Sequence, residues 1–222
     1  MPQILKVKPS NPESWERMIA ETQKVLKGGG IIAFPTDTFY GLGVNPYNTK
    51  AVDKIYAIKG RHPNKPLLLL IDSIKKLDAL TEEISEASTK LIESFWPGPL
   101  TMLFKPKSTI PKNITTGLIG IRQPGNLITR KILAELNYPL TAPSANISGE
   151  DPATTAEQVK DRLGNKVDLI LDSGVSRGGK PSTLIDPVDM PAKLIRTGAI
   201  PFSEVERVLD KITNPAFSKV LK

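Results

Sequence analysis

The chain has 222 residues, of which 39% are hydrophobic and 24% charged, and 30 basic against 23 acidic side chains give it a net charge of +7. These values fit a globular protein with a sizeable core and exclude a fibrous or disordered chain. With no cysteine and one histidine, thiol nucleophiles, cysteine metal sites and histidine metal clusters are excluded. Catalysis would have to use lysine, arginine, carboxylate, hydroxyl or backbone groups, which suit reactions of phosphates.

The sequence also indicates where the protein works. The longest apolar run, Leu67 to Ile71, is far shorter than the roughly 20 residues that cross a bilayer. The amino-terminal residues lack a secretory signal, and a fold without cysteine needs no oxidising compartment. We therefore expect a cytoplasmic protein without membrane association, whose positive charge favours polyanionic partners such as nucleotides or RNA.

Apolar periodicity, capping residues and chain breakers predict a mixture of helices and short strands. In the first half of the chain we predict helix 13–27, strand 31–34, helix 51–58, strand 67–71, helices 74–80 and 85–95, and strand 100–104. In the second half we predict strand 119–122, helix 127–136, strand 140–142, helix 155–163, strands 169–172, 183–185 and 194–196, and helix 203–209. Because the two types mix without strict alternation, we expect one α/β domain over residues 1–222, with a twisted mixed sheet, packed helices, a core at about 15–209 and a tail at 210–222.

One stretch resembles a phosphate-binding P-loop. Residues 174–181, GVSRGGKP, match the spacing of glycine and lysine and follow a predicted strand. However, Pro181 stands where a P-loop needs Ser or Thr, and the next residues predict a strand instead of a helix. We interpret the stretch as a glycine-rich loop in which Lys180 and Ser182 are still available to a ligand.

Four polar stretches lie beside predicted strands, where α/β folds place their ligands. They are PTDTFYG, KGRHPNK, RQP and APSANISG. Each alone is typical of turn chemistry, since Gly, Pro, Asn, Asp and Ser favour loops. Together with the glycine-rich loop they provide cations, hydroxyls and an amide that suit a polyphosphate and a carboxylate: Lys59, Arg61, Arg122, Thr36, Ser144, Ser182 and Asn146.

Other residues in these stretches are assigned structural roles. We expect His62 to be a solvated loop residue and not a catalytic base, and Lys59 to lie on a loop where it adds little to stability. Asp37 is expected to fix its turn, with a contact to magnesium as the alternative. Of Phe39 and Tyr40, we expect one in the core and one at the edge of a pocket.

Seven segments, in this order and spacing, carry a family resemblance: GGGIIAFPTDTFYGLG, IYAIKGRHPNKPL, FWPGPLT, IGIRQP, PLTAPSANISG, DLILDSG with GKPSTLID, and LIRTGAI. Together they extend from about Trp15 to Leu209. The chain resembles the YrdC-like threonylcarbamoyl-AMP synthases in their short, single-domain form. The resemblance implies a YrdC/RibB-like fold with a twisted sheet around a large, positively charged cavity.

The resemblance also implies an activity. Members of this family are nucleotidyltransferases that join L-threonine, bicarbonate and ATP into threonylcarbamoyl-AMP and pyrophosphate, with Mg²⁺ carried by ATP. A downstream threonylcarbamoyl transferase then modifies the adenosine beside the anticodon of certain tRNAs. The inventory of residues fits this chemistry, because alignment and charge neutralisation do the work without a protein nucleophile.

Site residues carry over position by position. The resemblance assigns Lys59 and Arg61 to catalysis and, with Ser144, Asn146 and Arg196, to ATP. It assigns Thr36, Arg122 and Ser182 to L-threonine and implies no metal site formed by side chains. One departure is Leu70, which stands where some relatives have a histidine, so a threonine contact from that position is lost.

Two other functions remain open. The net charge also suits a protein that binds tRNA or double-stranded RNA, although the basic residues are scattered and no stacking-aromatic motif is present. A paralogue with the same fold that acts on another carbamoyl or nucleotide substrate is the second alternative.

Overall fold

The structure, a computed structural model, describes residues 1–115 and 117–213. The strands within this part are β1 (Gln3–Lys6), β2 (Ile32–Phe34), β3 (Gly41–Gly43), β4 (Leu69–Leu70), β5 (Leu100–Phe104), β6 (Ile119–Arg122), β7 (Leu140–Thr141), β8 (Leu169–Asp172), β9 (Thr183–Asp186) and β10 (Lys193–Arg196). The α-helices are α1 (Pro12–Lys27), α2 (Thr49–Lys59), α3 (Leu77–Leu80), α4 (Glu86–Phe95), α5 (Leu127–Ala134), α6 (Ala156–Leu163) and α7 (Phe202–Thr213). No helix in the described ranges is long and apolar enough to cross a membrane.

The strands form two mixed sheets. One has four strands in the order β1-β8-β2-β3, and the other has six in the order β10-β9-β5-β6-β4-β7. In the smaller sheet β8 pairs in parallel with β1 and β2, whereas β3 is antiparallel to β2. In the larger sheet the parallel pairs are β5 with β9 and β4 with β6, and the others are antiparallel.

The two sheets meet where β3 lies beside β7. The backbone N–H of Leu42 donates to the carbonyl of Pro143 at 2.8 Å, and the N–H of Thr141 donates to the carbonyl of Val44 at 3.2 Å. The Thr141 hydroxyl donates to the Leu42 carbonyl and accepts from the Val44 N–H. This buried threonine therefore uses both hydrogen-bonding functions of its hydroxyl to hold the edges together.

Side-chain caps fix where the helices begin. Asn48 caps α2 by accepting from the N–H of Ala51, and Gly60 ends that helix in the left-handed region at φ 54°. Asn11, Ser85, Asn126 and Thr155 cap α1, α4, α5 and α6 in the same way. The end of α2 is therefore set locally, and this end carries Lys59.

The prediction of a mixed α/β fold is confirmed, with the strands divided between two sheets instead of one. Strands β1 and β3 were not predicted. β1 reads QILK with a single buried residue and so lacks an apolar run, and β3 reads Gly-Leu-Gly, a composition typical of a turn. Helix α7 continues to Thr213, into the segment expected as a tail at 210–222. The rest of that tail, residues 214–222, lies outside the described residues.

Gly43 on β3 gives the first testable prediction. We expect Gly43→Ala to lower the free energy of unfolding by about 1–3 kcal/mol, the usual cost of overpacking a core. A Cβ there would lie 2.8 Å from Phe34 Cε1, 2.9 Å from Ile32 Cγ1 and 3.0 Å from Leu140 Cδ2. Urea unfolding measures the change.

Gly28→Ala is the matched control. Its Cβ would meet only backbone oxygens at 3.5 Å, and its φ of −75° suits alanine. We expect its free energy of unfolding to stay within about 0.5 kcal/mol of the unaltered protein. Equal unfolding midpoints for the two variants would contradict the tight packing around Gly43.

Candidate functional site

A cavity of about 470 Å³ opens on one face of the six-stranded sheet. This volume is typical of small-molecule and cofactor sites. The structure brings all but one of the eight sequence-predicted site residues to its lining: Thr36, Arg61, Arg122, Ser144, Asn146, Ser182 and Arg196. The remaining residue, Lys59, lies behind the loop that contains Ser144 and Asn146.

The alternation of side chains along the strands determines which residues form the cavity floor. Residues paired across neighbouring strands point to the same face, and the pairs Thr101–Leu184 and Leu103–Gly120 both line the cavity. Arg122 follows Gly120 by two residues and shares that face. The residues between them point to the core on the opposite face and are fully buried: Met102, Ile121 and Ile185. The floor is therefore apolar around Leu103 and polar around Arg122.

The turn PTDT forms one wall, and the Thr36 hydroxyl closes it. This hydroxyl donates to the Phe39 carbonyl at 2.7 Å, accepts from the Thr38 N–H at 3.1 Å and lies 3.1 Å from the Thr38 hydroxyl. Phe39 is half-buried and Tyr40 fully buried, as expected for this pair, but both line the cavity and not Phe39 alone. Burial raises the pKa of Tyr40 to about 12.

Asp37 does not fix the turn by a side-chain hydrogen bond to the turn backbone, so that prediction was wrong. Within the described chain neither of its carboxylate oxygens has a hydrogen-bond partner, although both are buried. Oδ1 instead lies 3.4 Å from Nη2 of Arg122, at the end of β6. The turn does not need the carboxylate, because the shorter Thr36 side chain already reaches the backbone groups that an aspartate would cap.

Arg122 differs from the other cations of the site in its lack of hydrogen bonds. Its side chain is 3% exposed, and across the described ranges its guanidinium donates no hydrogen bond. Burial lowers the pKa of Arg122, and the Asp37 carboxylate opposes that shift. A buried guanidinium with unused donors provides a site for a carboxylate or phosphate, which would supply the missing acceptors.

Ser182 and Arg196 form a connected polar group beside Arg122. The Ser182 hydroxyl lies 2.7 Å from the hydroxyl of Thr101, and Nη2 of Arg196 donates to that same Ser182 oxygen at 3.0 Å. Arg196 also donates to the Ser182 carbonyl through Nε and Nη2. Desolvation and the positive charges of Arg122 and Arg61 lower the pKa of Arg196. An anion bound here would relieve the repulsion among these arginines.

Lys59 is a buried residue at the end of α2, and the expectation that it lies on a loop was wrong. Its side-chain nitrogen donates to the carbonyls of Ser144 and Asn146 at 2.5 and 2.7 Å, and to Oδ1 of Asn146 at 3.1 Å. These contacts use all three ammonium donors and hold the PSAN loop. Burial, reinforced by the positive charge of Arg61, lowers the pKa of Lys59 to about 8.

The PSAN loop presents Ser144 and Asn146 to the cavity. The Ser144 hydroxyl donates to Oδ1 of Asn146 at 2.6 Å, while Nδ2 of Asn146 donates to the carbonyls of Ile147 and Glu150. Asn146 Oδ1 therefore joins the Ser144 hydroxyl and the Lys59 ammonium. A movement of any one of the three would displace the other two.

Arg61 follows α2 in the basic loop. Its Nε donates to the carbonyl of Lys65 at 3.1 Å and its Nη2 to that of Pro66 at 3.0 Å. Burial lowers the pKa of Arg61. His62 is exposed, and its Nδ1 accepts the backbone N–H of Asn64 at 3.2 Å, which confirms its prediction as a loop residue.

The glycine-rich loop before β9 is not a P-loop, as predicted, because a strand follows it. The N–H of Gly178 donates to the Thr38 carbonyl at 2.7 Å, and the hydroxyl of Tyr40 donates to the Gly174 carbonyl at 2.9 Å. The loop is thus attached to the same turn that forms the cavity wall. Gly178 and Gly179 have φ of 65° and 80°, values that favour glycine.

Sequence reasoning missed two cavity hydroxyls, Thr38 and Thr101. Thr38 lies in the PTDT motif, but nothing in the motif distinguishes it from Thr36. Thr101 is the one polar residue of the otherwise apolar strand LTMLF, and a lone hydroxyl in such a strand was a usable signal. Glu150 is the single carboxylate among the described lining residues, and no group of three or more possible metal ligands occurs in the described part of the chain.

The geometry defines a class of protein: an α/β domain whose arginine-rich cavity lies on one face of a sheet. Comparison with known proteins identifies the family. The model of the Sua5/YciO/YrdC family, described as telomere recombination, matches residues 24–198, and the chain belongs to this family.

Three relatives are informative. The chain is 39% identical to the threonylcarbamoyl-AMP synthase of Pyrococcus abyssi over 90% of its own length, but spans only 59% of that relative. It is 36% identical to the putative threonylcarbamoyl-AMP synthase of Methanocaldococcus jannaschii, with 92% of this chain and 97% of that protein covered. The crystal structure of P. abyssi Sua5 complexed with L-threonine superposes with a TM-score of 0.86 at 35% identity, covering 93% of this chain and 60% of the other.

The three contacts of Lys59 lead to a prediction about stability. We expect Lys59→Met to lower the free energy of unfolding at pH 7 by about 2 kcal/mol, because it leaves buried acceptors without donors. Lys50→Met, on the exposed side of the same helix, is the control and should change stability by less than about 0.5 kcal/mol. Chemical denaturation measures both, and an unaffected Lys59→Met would contradict a structural role for the ammonium.

The pKa of Lys59 predicts a dependence on pH. The folded value of about 8 lies below that of an unfolded lysine, so between the two the unfolded chain binds more protons. The stability contributed by Lys59 should therefore rise as the pH increases above 8. We expect the gap in free energy of unfolding between the unaltered protein and Lys59→Met to widen from pH 8 to pH 10. A constant gap would mean that the ammonium keeps an ordinary pKa.

Proposed function

We propose that this chain is a threonylcarbamoyl-AMP synthase, which joins L-threonine, bicarbonate and ATP into threonylcarbamoyl-AMP and pyrophosphate. The observation that carries the proposal is the convergence of Arg61, Arg122 and Arg196 on one cavity with a single carboxylate in its described lining. Such a cavity suits several anionic groups at once, as a triphosphate and an amino acid carboxylate require. The names of the relatives support the same substrates.

The end of the cavity around Arg122 is the proposed threonine site. The free guanidinium donors of Arg122 suit the carboxylate of the amino acid in a bidentate arrangement. Ser182 adds a hydroxyl beside it. Thr36 contributes through the wall it closes, since its own hydroxyl already has partners in the turn. This assignment leaves the amino group of threonine free to react.

ATP is assigned to the region around the PSAN loop. Ser144 and Asn146 present polar groups to the cavity, and Arg61 and Arg196 provide positive charge for the phosphates. Lys59 adds charge and fixes the PSAN loop through its three hydrogen bonds. Its proposed role is therefore to position the phosphate contacts, because its donors are already occupied by the protein.

The proposed reaction needs no protein nucleophile. The amine of threonine combines with bicarbonate to give a carbamate and water. An oxygen of the carbamate then attacks the α-phosphorus of ATP, the bond to the β-phosphate oxygen breaks, and pyrophosphate leaves. Arginine side chains around the phosphates stabilise the negative charge that develops, and the cavity limits hydrolysis of the mixed anhydride.

Magnesium fits this site as an ion carried by ATP. Glu150 is the one carboxylate in the described lining, and Mg²⁺ is commonly held by substrate phosphates with few protein ligands. When bound, the ion would neutralise charge on the phosphates. Glu150 would be the candidate protein contact.

The product implies partners outside the cavity. Threonylcarbamoyl-AMP is a reactive anhydride, so we propose a downstream threonylcarbamoyl transferase that passes the group to adenosine in tRNA, in the cytoplasm. The net charge of +7 also supports contact with tRNA or double-stranded RNA, which would weaken steeply with ionic strength. Because such binding leaves the cavity unexplained, it ranks below the synthase activity.

A pyrophosphate-release assay tests the proposal. We expect release from ATP only when L-threonine and bicarbonate are both present. Arg122→Met should lower kcat/KM for L-threonine by about 100-fold, since it removes the charged partner of a buried carboxylate. Arg130→Met, an exposed arginine of α5, is the control and should retain full activity. Release that is independent of threonine, or that another amine substrate supports better, would replace this proposal with the paralogue alternative.

A further inference from the structure

Asp37 presents a physical problem that the PTDT turn does not solve. Its two carboxylate oxygens are buried and have no hydrogen-bond partner within the described residues, while Thr36 caps the turn. A buried carboxylate without hydrogen bonds is costly unless an opposite charge compensates it. The nearest such charge is Arg122, whose Nη2 lies 3.4 Å from Oδ1 of Asp37.

The geometry of this pair is unusual among the cations of the site. Arg61 and Arg196 both donate hydrogen bonds to backbone carbonyls, and so does Lys59. Arg122 is instead balanced by a carboxylate at the distance of an ion pair, without a hydrogen bond between them. Asp37 thus supplies the negative charge that a buried guanidinium needs and leaves its donors free for a ligand.

Repulsion makes this balance necessary. Arg61, Arg122 and Arg196 line one cavity with a single carboxylate in its described lining, so the field there is positive before any ligand binds. Desolvation first, and then the charges of Arg122 and Arg61, lower the pKa of Arg196. Without a nearby carboxylate, the Arg122 side chain would gain by turning away from Arg196 or toward solvent. The Asp37 carboxylate, 3.4 Å from Nη2 of Arg122, opposes that movement.

We propose that Asp37 is a positioning residue, which holds the Arg122 guanidinium directed at the carboxylate of the amino acid substrate. The inference rests on the proposed function, in which Arg122 binds L-threonine. The competing interpretation is that Asp37 only fastens the PTDT turn to β6. The two differ in what they predict for a ligand that lacks a carboxylate.

Calorimetric titration with two ligands distinguishes the two interpretations of Asp37. L-Threonine carries the carboxylate, and L-threoninol has a hydroxymethyl group in its place. We expect the unaltered protein to bind L-threonine more tightly than L-threoninol. Asp37→Asn should weaken the binding of L-threonine by about ten-fold and leave the affinities for L-threoninol and ATP unchanged. Asp37→Ser, a smaller uncharged replacement, should behave alike and serves if the asparagine variant does not fold.

The control is Asp168→Asn. This carboxylate accepts a hydrogen bond from the Ile31 N–H at 2.7 Å beside the smaller sheet, so the variant loses a structural carboxylate that does not face Arg122, which lies on the larger sheet. We expect it to retain the selectivity for L-threonine over L-threoninol, even if its unfolding midpoint falls.

Three results would overturn the inference. Equal weakening of both ligands in the Asp37 variants would leave a structural role alone. Unchanged or tighter binding of L-threonine would mean that Asp37 does not prepare Arg122. Failure of the unaltered protein to bind L-threonine would overturn the proposed function itself, and this outcome is distinguished from the others because no variant is involved.

Discussion

Buried positive charge is the constraint on which the site depends. Charges removed from water are costly, and the two buried cations, Lys59 and Arg122, are compensated in different ways. Arg61 is half-buried and Arg196 exposed, and both also have partners. Lys59 and Arg61 are satisfied mainly by carbonyl oxygens, Arg196 by Ser182, and Arg122 by the carboxylate of Asp37. The loops that provide these acceptors are held in place by the cations they bind, so the cavity and its charge form together.

The six-stranded sheet makes this arrangement possible. Because side chains alternate across a strand, β5, β6 and β9 pack Met102, Ile121 and Ile185 into the core while presenting Thr101, Gly120 and Arg122 to the cavity. Packing of the apolar face into the core and pairing of the strands therefore fix the positions of the polar side chains on the cavity face. Gly120 leaves room on the floor, since it has no side chain to fill the space opposite Leu103.

Much of the fold followed from local pattern. The helices with clear caps and the strands rich in branched residues were predicted within a few residues, because their signals are local. Strand β3 was missed because the propensity of Gly-Leu-Gly does not favour a strand. Its extended conformation is imposed by the core residues that pack closely around it. Division of the strands into two sheets also depends on pairing between distant segments, such as β3 with β7, which periodicity does not specify.

For the site, the sequence by itself determined the chemical inventory: cations, hydroxyls and an amide in polar stretches, with thiols and histidine clusters excluded. The tertiary structure decided how each group is used. It placed Lys59 beneath the PSAN loop, released Asp37 from its turn to face Arg122, and added Thr101 from within an apolar strand. These roles depend on burial and on contacts between residues up to 87 positions apart, as for Lys59 and Asn146. A side chain's hydrogen bonds are set by the groups that folding brings to it, and a linear sequence does not contain that proximity.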